Sequence, residues 1–77
     1  MNEEILFYAF RYALGRRTYA VATVAQEIID RASELSQKTM RLMCNEIAEA
    51  ELKQALGDEC DAKHWREVRH RLIEAGA

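Results

Sequence analysis

The chain contains no proline, and its three glycines stand far apart at positions 15, 57 and 76, so long uninterrupted stretches lie between them. Those stretches are rich in alanine, leucine, glutamate and arginine, which favour the α-helix. Apolar residues recur three and four positions apart, the period of a helix with one buried face. Hydrophobic residues make up 49% of the 77 residues, enough for a packed core. The sequence therefore predicts an all-α fold, a compact bundle of three to four helices forming a single helical domain over residues 1–77.

Capping residues indicate where the helices begin and end, because short polar side chains satisfy the first N–H groups and glycine closes the last turn. The expected helices are about 3–14, 19–32, 36–56 and 62–74. The candidate N-caps are Asn2 for helix one, Thr18 or Thr23 for helix two, Ser33 or Ser36 for helix three and Asp61 for helix four.

The segment 7–19 contains both phenylalanines, all three tyrosines and three arginines, whereas Trp65 is the one aromatic residue elsewhere. Helix one is consequently apolar nearly all round, with Glu4, Arg11 and the tyrosine hydroxyls as its polar groups. A helix of this kind either lies at the centre of a fold or is shared with another subunit. The pattern therefore also allows a homodimer with aromatic residues across its two-fold axis.

Tyrosine and arginine are the residues that protein–protein hot spots enrich, which makes protein binding the favoured class of function. The alternative is that the tyrosines belong to the core with their hydroxyls at its rim. We expect Tyr12 to be mostly core and Tyr8 and Tyr19 to be more exposed. The predicted partner-binding residues are Tyr8, Arg11, Arg16, Arg17 and Tyr19, with a second acidic patch of Glu46 and Glu49.

Two charged residues fall on apolar faces, Glu51 on helix three and Arg69 on helix four. A short turn at Gly57 would make these helices antiparallel neighbours and place both residues at about the same level. We therefore predict a partly buried Glu51–Arg69 ion pair, with Arg11 or Arg16 as the alternative partner for Glu51. Snorkelling of both side chains outward from the rim is the competing interpretation.

The soft metal ligands are few and badly spaced. Cys60 and His64 are four residues apart, but there is no Cys-x-x-Cys motif, and Cys44 fits the apolar core pattern. Nucleophilic catalysis would need a third group to orient a Cys60–His64 pair, and none is evident. We therefore predict no metal, no cofactor and no enzymatic activity.

Nucleic-acid or nucleotide binding is the second class of function. The chain carries a net charge of −2, and Glu67 and Glu74 interrupt the basic side of helix four. The start of helix two could nevertheless hold a phosphate, because its backbone N–H groups favour anions. The residues of this alternative interface are Arg16, Arg17, Thr18, Lys63, Arg66 and His70.

Three features of the sequence predict a cytoplasmic protein. The longest apolar run, 5–10, is too short for a membrane span. The first residues, Asn2, Glu3 and Glu4, have the wrong charge for a signal peptide. Two cysteines without the spacing of a disulfide scaffold fit a reducing compartment.

The run Phe-Arg-Tyr-Ala-Leu-Gly-Arg-Arg-Thr-Tyr-Ala-Val, from Phe10 to Val21, resembles a run in small, mostly uncharacterised proteins encoded by phages and prophages. Cys60-Asp61 followed by Trp65 is similar to the end of some of them. The resemblance implies an accessory protein that works in the cytoplasm of a bacterial host cell. Such proteins often disable a host enzyme or a defence complex, including CRISPR effectors, or sequester a signal nucleotide. The expected function is therefore to inhibit or modulate a bacterial host protein by occluding its surface.

Overall fold

The computed structural model describes residues 2–15 and 20–77 of the chain. The described residues form four α-helices and one short 3-10 turn, which confirms the all-α prediction. In chain order these are α1 (Glu3–Leu14), α2 (Val21–Asp30), the 3-10 turn (Ala32–Glu34), α3 (Gln37–Leu52) and α4 (Glu59–Glu74). Within these ranges no helix combines the length and the apolar character that crossing a membrane requires.

The helices share one hydrophobic core. Helix α4 packs against α2 and α3, and α1 packs against the same two helices. Phe10 and Trp65 are fully buried where α1 meets α4, with their ring centroids 5.5 Å apart and their planes at 86°. This edge-to-face arrangement is the favoured geometry of aromatic pairs. The Phe10–Trp65 contact therefore joins α1 to α4 at the centre of the bundle.

Helix α2 is shorter than predicted at both ends. It begins at Val21 with Ala20 as the N-cap, and no side chain accepts a hydrogen bond there, so the prediction that Thr23 caps it is wrong. Thr18, the other candidate cap, lies outside the described residues. The chain leaves α-geometry after Asp30 and makes a 3-10 turn, which turns the backbone toward α3.

Helix α3 ends four residues before the predicted position. Gln54 takes a left-handed backbone conformation with a φ of 54°, which no sequence rule assigns to glutamine. The N–H of Ala55 donates to the carbonyl of Ala50 at 2.8 Å, and the N–H of Gln54 donates to that of Glu51 at 3.0 Å. These two bonds are those of a Schellman C-cap. Since the helix closes here, Leu56 can turn back and bury itself in the core.

Helix α4 begins three residues before the predicted position, because Asp58 rather than Asp61 is its N-cap. The Asp58 Oδ1 atom accepts the N–H of Asp61 at 2.9 Å. Gly57, just before the cap, has a φ of 97°, and an added Cβ would lie 2.9 Å from the Asp61 side chain. Both the backbone angle and the close approach therefore require glycine at this turn.

The predicted Glu51–Arg69 ion pair is wrong, since Glu51 pairs with Arg66. The Arg66 Nε atom lies 2.8 Å from the Glu51 Oε2 atom. The earlier start of α4 brings Arg66, which is three residues nearer that start than Arg69, to the level of Glu51. The two side chains are 53% and 37% exposed, so water screens the pair. Its contribution to stability is about 0–1 kcal/mol, well below that of a buried pair.

The Glu3 carboxylate ties the first turn of α1 to the first turn of α3. It accepts the Ser36 backbone N–H at 2.6 Å, the Ser36 hydroxyl at 2.9 Å and the Thr39 hydroxyl at 2.6 Å. Ser36 is also the N-cap of α3, as its Oγ atom accepts the Thr39 N–H at 3.2 Å. The hydrogen bond from Thr39, followed by those from Ser36, lowers the pKa of Glu3 from its ordinary value. Glu3 therefore stabilises the fold in its ionised form.

Substituting glutamine for Glu3 is expected to remove part of the acid sensitivity of the protein. A carboxyl whose pKa is lowered by folding stabilises the fold above its unfolded pKa and loses that contribution as pH falls through its folded pKa. The urea midpoint of Glu3→Gln should therefore lie below that of the wild type at neutral pH, and the gap should close as pH falls through the folded pKa. Glu4→Gln is the matched control, and a gap independent of pH would contradict the assigned role.

Candidate functional site

Two adjoining pockets, which share Arg11 in their lining, form a groove between α1 and α3. One end, with a volume of about 380 Å³, lies near the helix starts, and the other, about 240 Å³, lies near the helix ends. Arg11 lines both ends and so stands at the middle. We call this surface the α1/α3 groove. Its principal residues are Phe7, Tyr8, Arg11 and Leu14 from α1 and Lys38, Leu42, Glu46, Glu49, Ala50 and Lys53 from α3.

The groove brings together two patches that the sequence left apart. Tyr8 and Arg11 come from α1, and Glu46 and Glu49 come from α3, 35 or more positions further along the chain. Helix spacing explains each half, since Tyr8 and Arg11 are three residues apart and the two glutamates are likewise three apart. Four of the seven predicted partner-binding residues therefore line one surface.

The outer face of α1 carries a stripe of large apolar side chains. Ile5, Tyr8 and Tyr12 are 53%, 64% and 58% exposed. The expectation that Tyr12 is mostly core is therefore wrong, whereas the exposure predicted for Tyr8 is confirmed. The buried face of α1 consists of Leu6, Phe10 and Ala13. We call the three exposed residues the α1 stripe.

The charges around the groove alternate in sign. In the second half of α3, the Lys53 Nζ atom lies 2.9 Å from the Glu49 Oε1 atom, so this acid is partly neutralised. Glu46 is half-buried, and within the described residues neither it nor Arg11 takes part in an ion pair. Arg11 and Glu46 therefore remain available to groups that enter the groove.

The three remaining predicted partner-binding residues, Arg16, Arg17 and Tyr19, lie outside the described residues, as does Thr18 of the alternative interface. They follow directly after Gly15, which lines the second end of the groove. Their part in either interface stays a prediction.

The basic side of α4 is largely paired with acids. Arg66 contacts Glu51 as described above, and the His70 Nε2 atom lies 3.6 Å from a Glu74 carboxylate oxygen. Arg71, which flanks them, has its Nε atom 3.0 Å from a Glu67 oxygen. Lys63 is exposed. Phosphate groups would have to displace these carboxylates, which disfavours this face as a nucleic-acid surface.

The two cysteines occupy different surroundings. Cys44 is half-buried between α3 and α4, and its thiol lies 3.9 Å from the backbone carbonyl of Arg69. Burial raises the pKa of the Cys44 thiol, and the positive charge of Arg69 offsets only part of that rise. Cys60 is exposed, with its Sγ atom 3.9 Å from the His64 Nε2 atom. No cluster of three or more metal-ligating side chains occurs in residues 2–15 and 20–77.

The two thiols are expected to react at clearly different rates with an aromatic disulfide reagent. Thiolate is the reactive species, so the half-buried Cys44 with its raised pKa should react slowly and the exposed Cys60 quickly. Cys60→Ser should remove the fast phase, and Cys44→Ser should leave it intact. Unfolding in urea should make the rates converge, whereas equal rates in the folded protein would contradict this difference in environment.

Sequence reasoning missed the apolar residues of the groove, chiefly Phe7 and Leu42. A signal for Leu42 was present, since it lies four and seven residues before Glu46 and Glu49 and so shares their helix face. Leu42 is 43% exposed. Helical spacing alone does not determine that this face of α3 packs toward α1.

Comparison of the chain with protein-family models, curated proteins and solved structures finds no significant match. The resemblance of the Phe10–Val21 run to phage and prophage proteins therefore stays a prediction.

Proposed function

We propose that this chain is a non-catalytic binding protein that covers a surface of another protein through the α1/α3 groove. The observation that carries the proposal is that two pockets between α1 and α3 share Arg11, with Tyr8 lining one of them and Glu46 and Glu49 lining the other. Aromatic and arginine side chains at the centre of a concave, partly apolar surface have the character of interface hot spots.

The groove residues divide into two roles. Phe7, Tyr8 and Leu42 supply apolar area that a partner would remove from water. Arg11 and Glu46 supply opposite charges that select a partner with complementary groups. Occlusion is the proposed mechanism, with the helical scaffold changing little on binding.

The hydroxyl groups at the first end of the groove support binding rather than catalysis. Besides the Tyr8 phenol, the hydroxyl groups there belong to Ser36 and Thr39, and both donate hydrogen bonds to the Glu3 carboxylate. They are thus engaged in joining α1 to α3. The groove offers no cysteine or histidine among its lining residues in the described part of the chain.

The resemblance to phage and prophage proteins guides the choice of partner. It leads us to propose a bacterial host protein or complex as the target, a defence complex or a nucleic-acid enzyme, met in the host cytoplasm. An inhibitor of this type would block the working surface of its target without altering it chemically.

The test is affinity capture from bacterial lysate treated with nuclease, with proteins identified by mass spectrometry and with bound nucleotide measured by absorbance. A stoichiometric protein that wild type retains and Leu42→Glu loses would support the proposal, since Leu42 belongs to the groove and not to the core. Leu52→Glu, on an 86% exposed leucine outside the groove, is the matched control.

Nucleic-acid or nucleotide binding through Arg16, Arg17, Thr18 and the basic side of α4 is the alternative that the same experiment separates. Its signature would be nucleic acid retained without nuclease and released steeply by salt, with Arg66→Ala flattening the salt dependence. A protein complex through the groove should survive moderate salt, because its apolar contacts are not screened. Loss of all retained protein in moderate salt would therefore count against the proposed function.

A further inference from the structure

The α1 stripe has a register that complements a second copy of itself. Ile5 stands three residues before Tyr8, and Tyr12 stands four after it. In an antiparallel pair of α1 helices centred on Tyr8, Ile5 of each copy faces Tyr12 of the other. The mismatch is one residue, about 1.5 Å along the axis. Each aliphatic side chain thus meets an aromatic ring, and the two Tyr8 rings meet near the two-fold axis.

The charges beside the stripe obey the same symmetry. Glu4 stands four residues before Tyr8, and Arg11 stands three residues after it, so both project from one edge of the stripe. A two-fold axis perpendicular to both helices keeps that edge on the same side in both copies. Glu4 of one copy therefore lies beside Arg11 of the other, twice per pair. Both residues are exposed and can reach across.

We propose that two copies of this chain associate through the α1 stripe as an antiparallel, two-fold symmetric dimer. The apolar contacts are Ile5 with Tyr12 and Tyr8 with Tyr8, and the Glu4–Arg11 pairs set the antiparallel orientation. A parallel two-fold pair would place the charged edges of the two copies on opposite sides of the contact, so the Glu4–Arg11 pairs form only in the antiparallel orientation. This inference does not rest on the proposed function.

The contact is limited to one face of a twelve-residue helix, so the dimer is weak. Interfaces below about 1,200 Å² belong to transient complexes. We expect a Kd of about 10–100 μM. The chain is then a monomer when dilute, which leaves Tyr8 and Arg11 open to a partner, and a dimer when concentrated.

Sedimentation velocity across roughly 5–500 μM protein is the test, because this range brackets the expected Kd. Wild type should shift from monomer to dimer. Glu4→Arg places arginine against Arg11 twice, and Arg11→Glu places glutamate against Glu4 twice, so each variant should weaken self-association about tenfold or more. An equimolar mixture of the two variants should dimerise again, because both pairs then join opposite charges.

The mixture separates a charge contact from damage to the fold, since a destabilised variant would not regain association by mixing. The double variant Glu4→Arg, Arg11→Glu should also self-associate. Wild type that stays monomeric throughout the range, or single variants that dimerise as well as wild type, would overturn the proposal. Ile5→Ser should abolish dimerisation while leaving capture of a groove partner intact, and Leu42→Glu should do the reverse, so the two proposals fail separately.

Discussion

Replacing Trp65 by alanine is expected to lower the free energy of unfolding by about 3–5 kcal/mol, the usual cost of removing a large aromatic side chain from a core. Trp65 is fully buried on α4 and meets the ring of Phe10 edge-on. The total stability of a chain of this length is about 4–12 kcal/mol. The variant should therefore keep at most about 9 kcal/mol of stability, and at the lower end of that range it should be unfolded at room temperature.

Urea denaturation, monitored by circular dichroism at the helix band, measures this loss without relying on Trp65 fluorescence. Leu52→Ala is the control, because Leu52 is 86% exposed and its truncation should change stability by about 0.5 kcal/mol or less. Trp65→Phe keeps an aromatic ring against Phe10 and should lie between the two. A loss below about 1 kcal/mol for Trp65→Ala would mean that the Phe10–Trp65 contact is not the centre of the core.

Alanine at Arg11 or at Tyr8 is expected to weaken binding of a groove partner about thirtyfold or more, the effect of removing an interface hot spot. Arg11 lines both ends of the groove, and Tyr8 is 64% exposed beside it. A partner that fills the groove would desolvate both side chains, and their loss would leave its opposing groups unpaired. Titration calorimetry with the purified partner measures the change.

The loss of affinity can be assigned to the groove only if the variants keep the wild-type fold. Both side chains are exposed, so the urea midpoints of the variants should stay close to that of the wild type. Arg41→Ala changes an exposed arginine of α3 that lies outside the α1/α3 groove, beside Cys44 and Ile73, and should leave the affinity unchanged. Equal losses for Arg11→Ala and Arg41→Ala would indicate a general charge effect rather than a groove contact.

The helices and the core could be read from the sequence wherever apolar spacing and caps agree. Asn2 caps α1 through a 2.8 Å bond from the N–H of Ile5, as expected, and Ser36, one of the two expected candidates, caps α3. The buried residues Met43 and Ile47 also follow the helical period. Local rules suffice here because each cap and each face depends on residues within one or two turns.

The ends of α3 and α4 could not be read in this way. The sequence predicted that α3 stops just before Gly57, but the residue with a left-handed backbone conformation at its end is Gln54. The N-cap of α4 is Asp58, whereas the predicted cap, Asp61, is another aspartate three residues later. Propensity disfavours glutamine in that conformation, so packing of Leu56 into the core outweighs a local cost of about 1 kcal/mol. The same shift moved the Glu51 partner to Arg66.

The candidate site was predicted in parts but not as a whole. The clustering of tyrosine and arginine in segment 7–19 predicted Tyr8 and Arg11 as contact residues. The acidic face of helix three predicted Glu46 and Glu49. Their common groove follows from the packing of α1 on α3, which single-helix periodicity does not determine. Tyr12 was misplaced for a related reason, because an apolar helix gives no periodic signal of which side faces solvent.

The most direct test of the groove as the binding surface is hydroxyl-radical footprinting of the chain with and without its captured partner, at a dilution where the chain is monomeric. Side-chain oxidation reports exposure residue by residue. Binding through the groove should protect Tyr8 and Leu42 and leave Leu52 and Ile73, which are 86% and 53% exposed, as reactive as before. Protection of Leu52 or Ile73 with Tyr8 and Leu42 unchanged would contradict the groove as the binding surface.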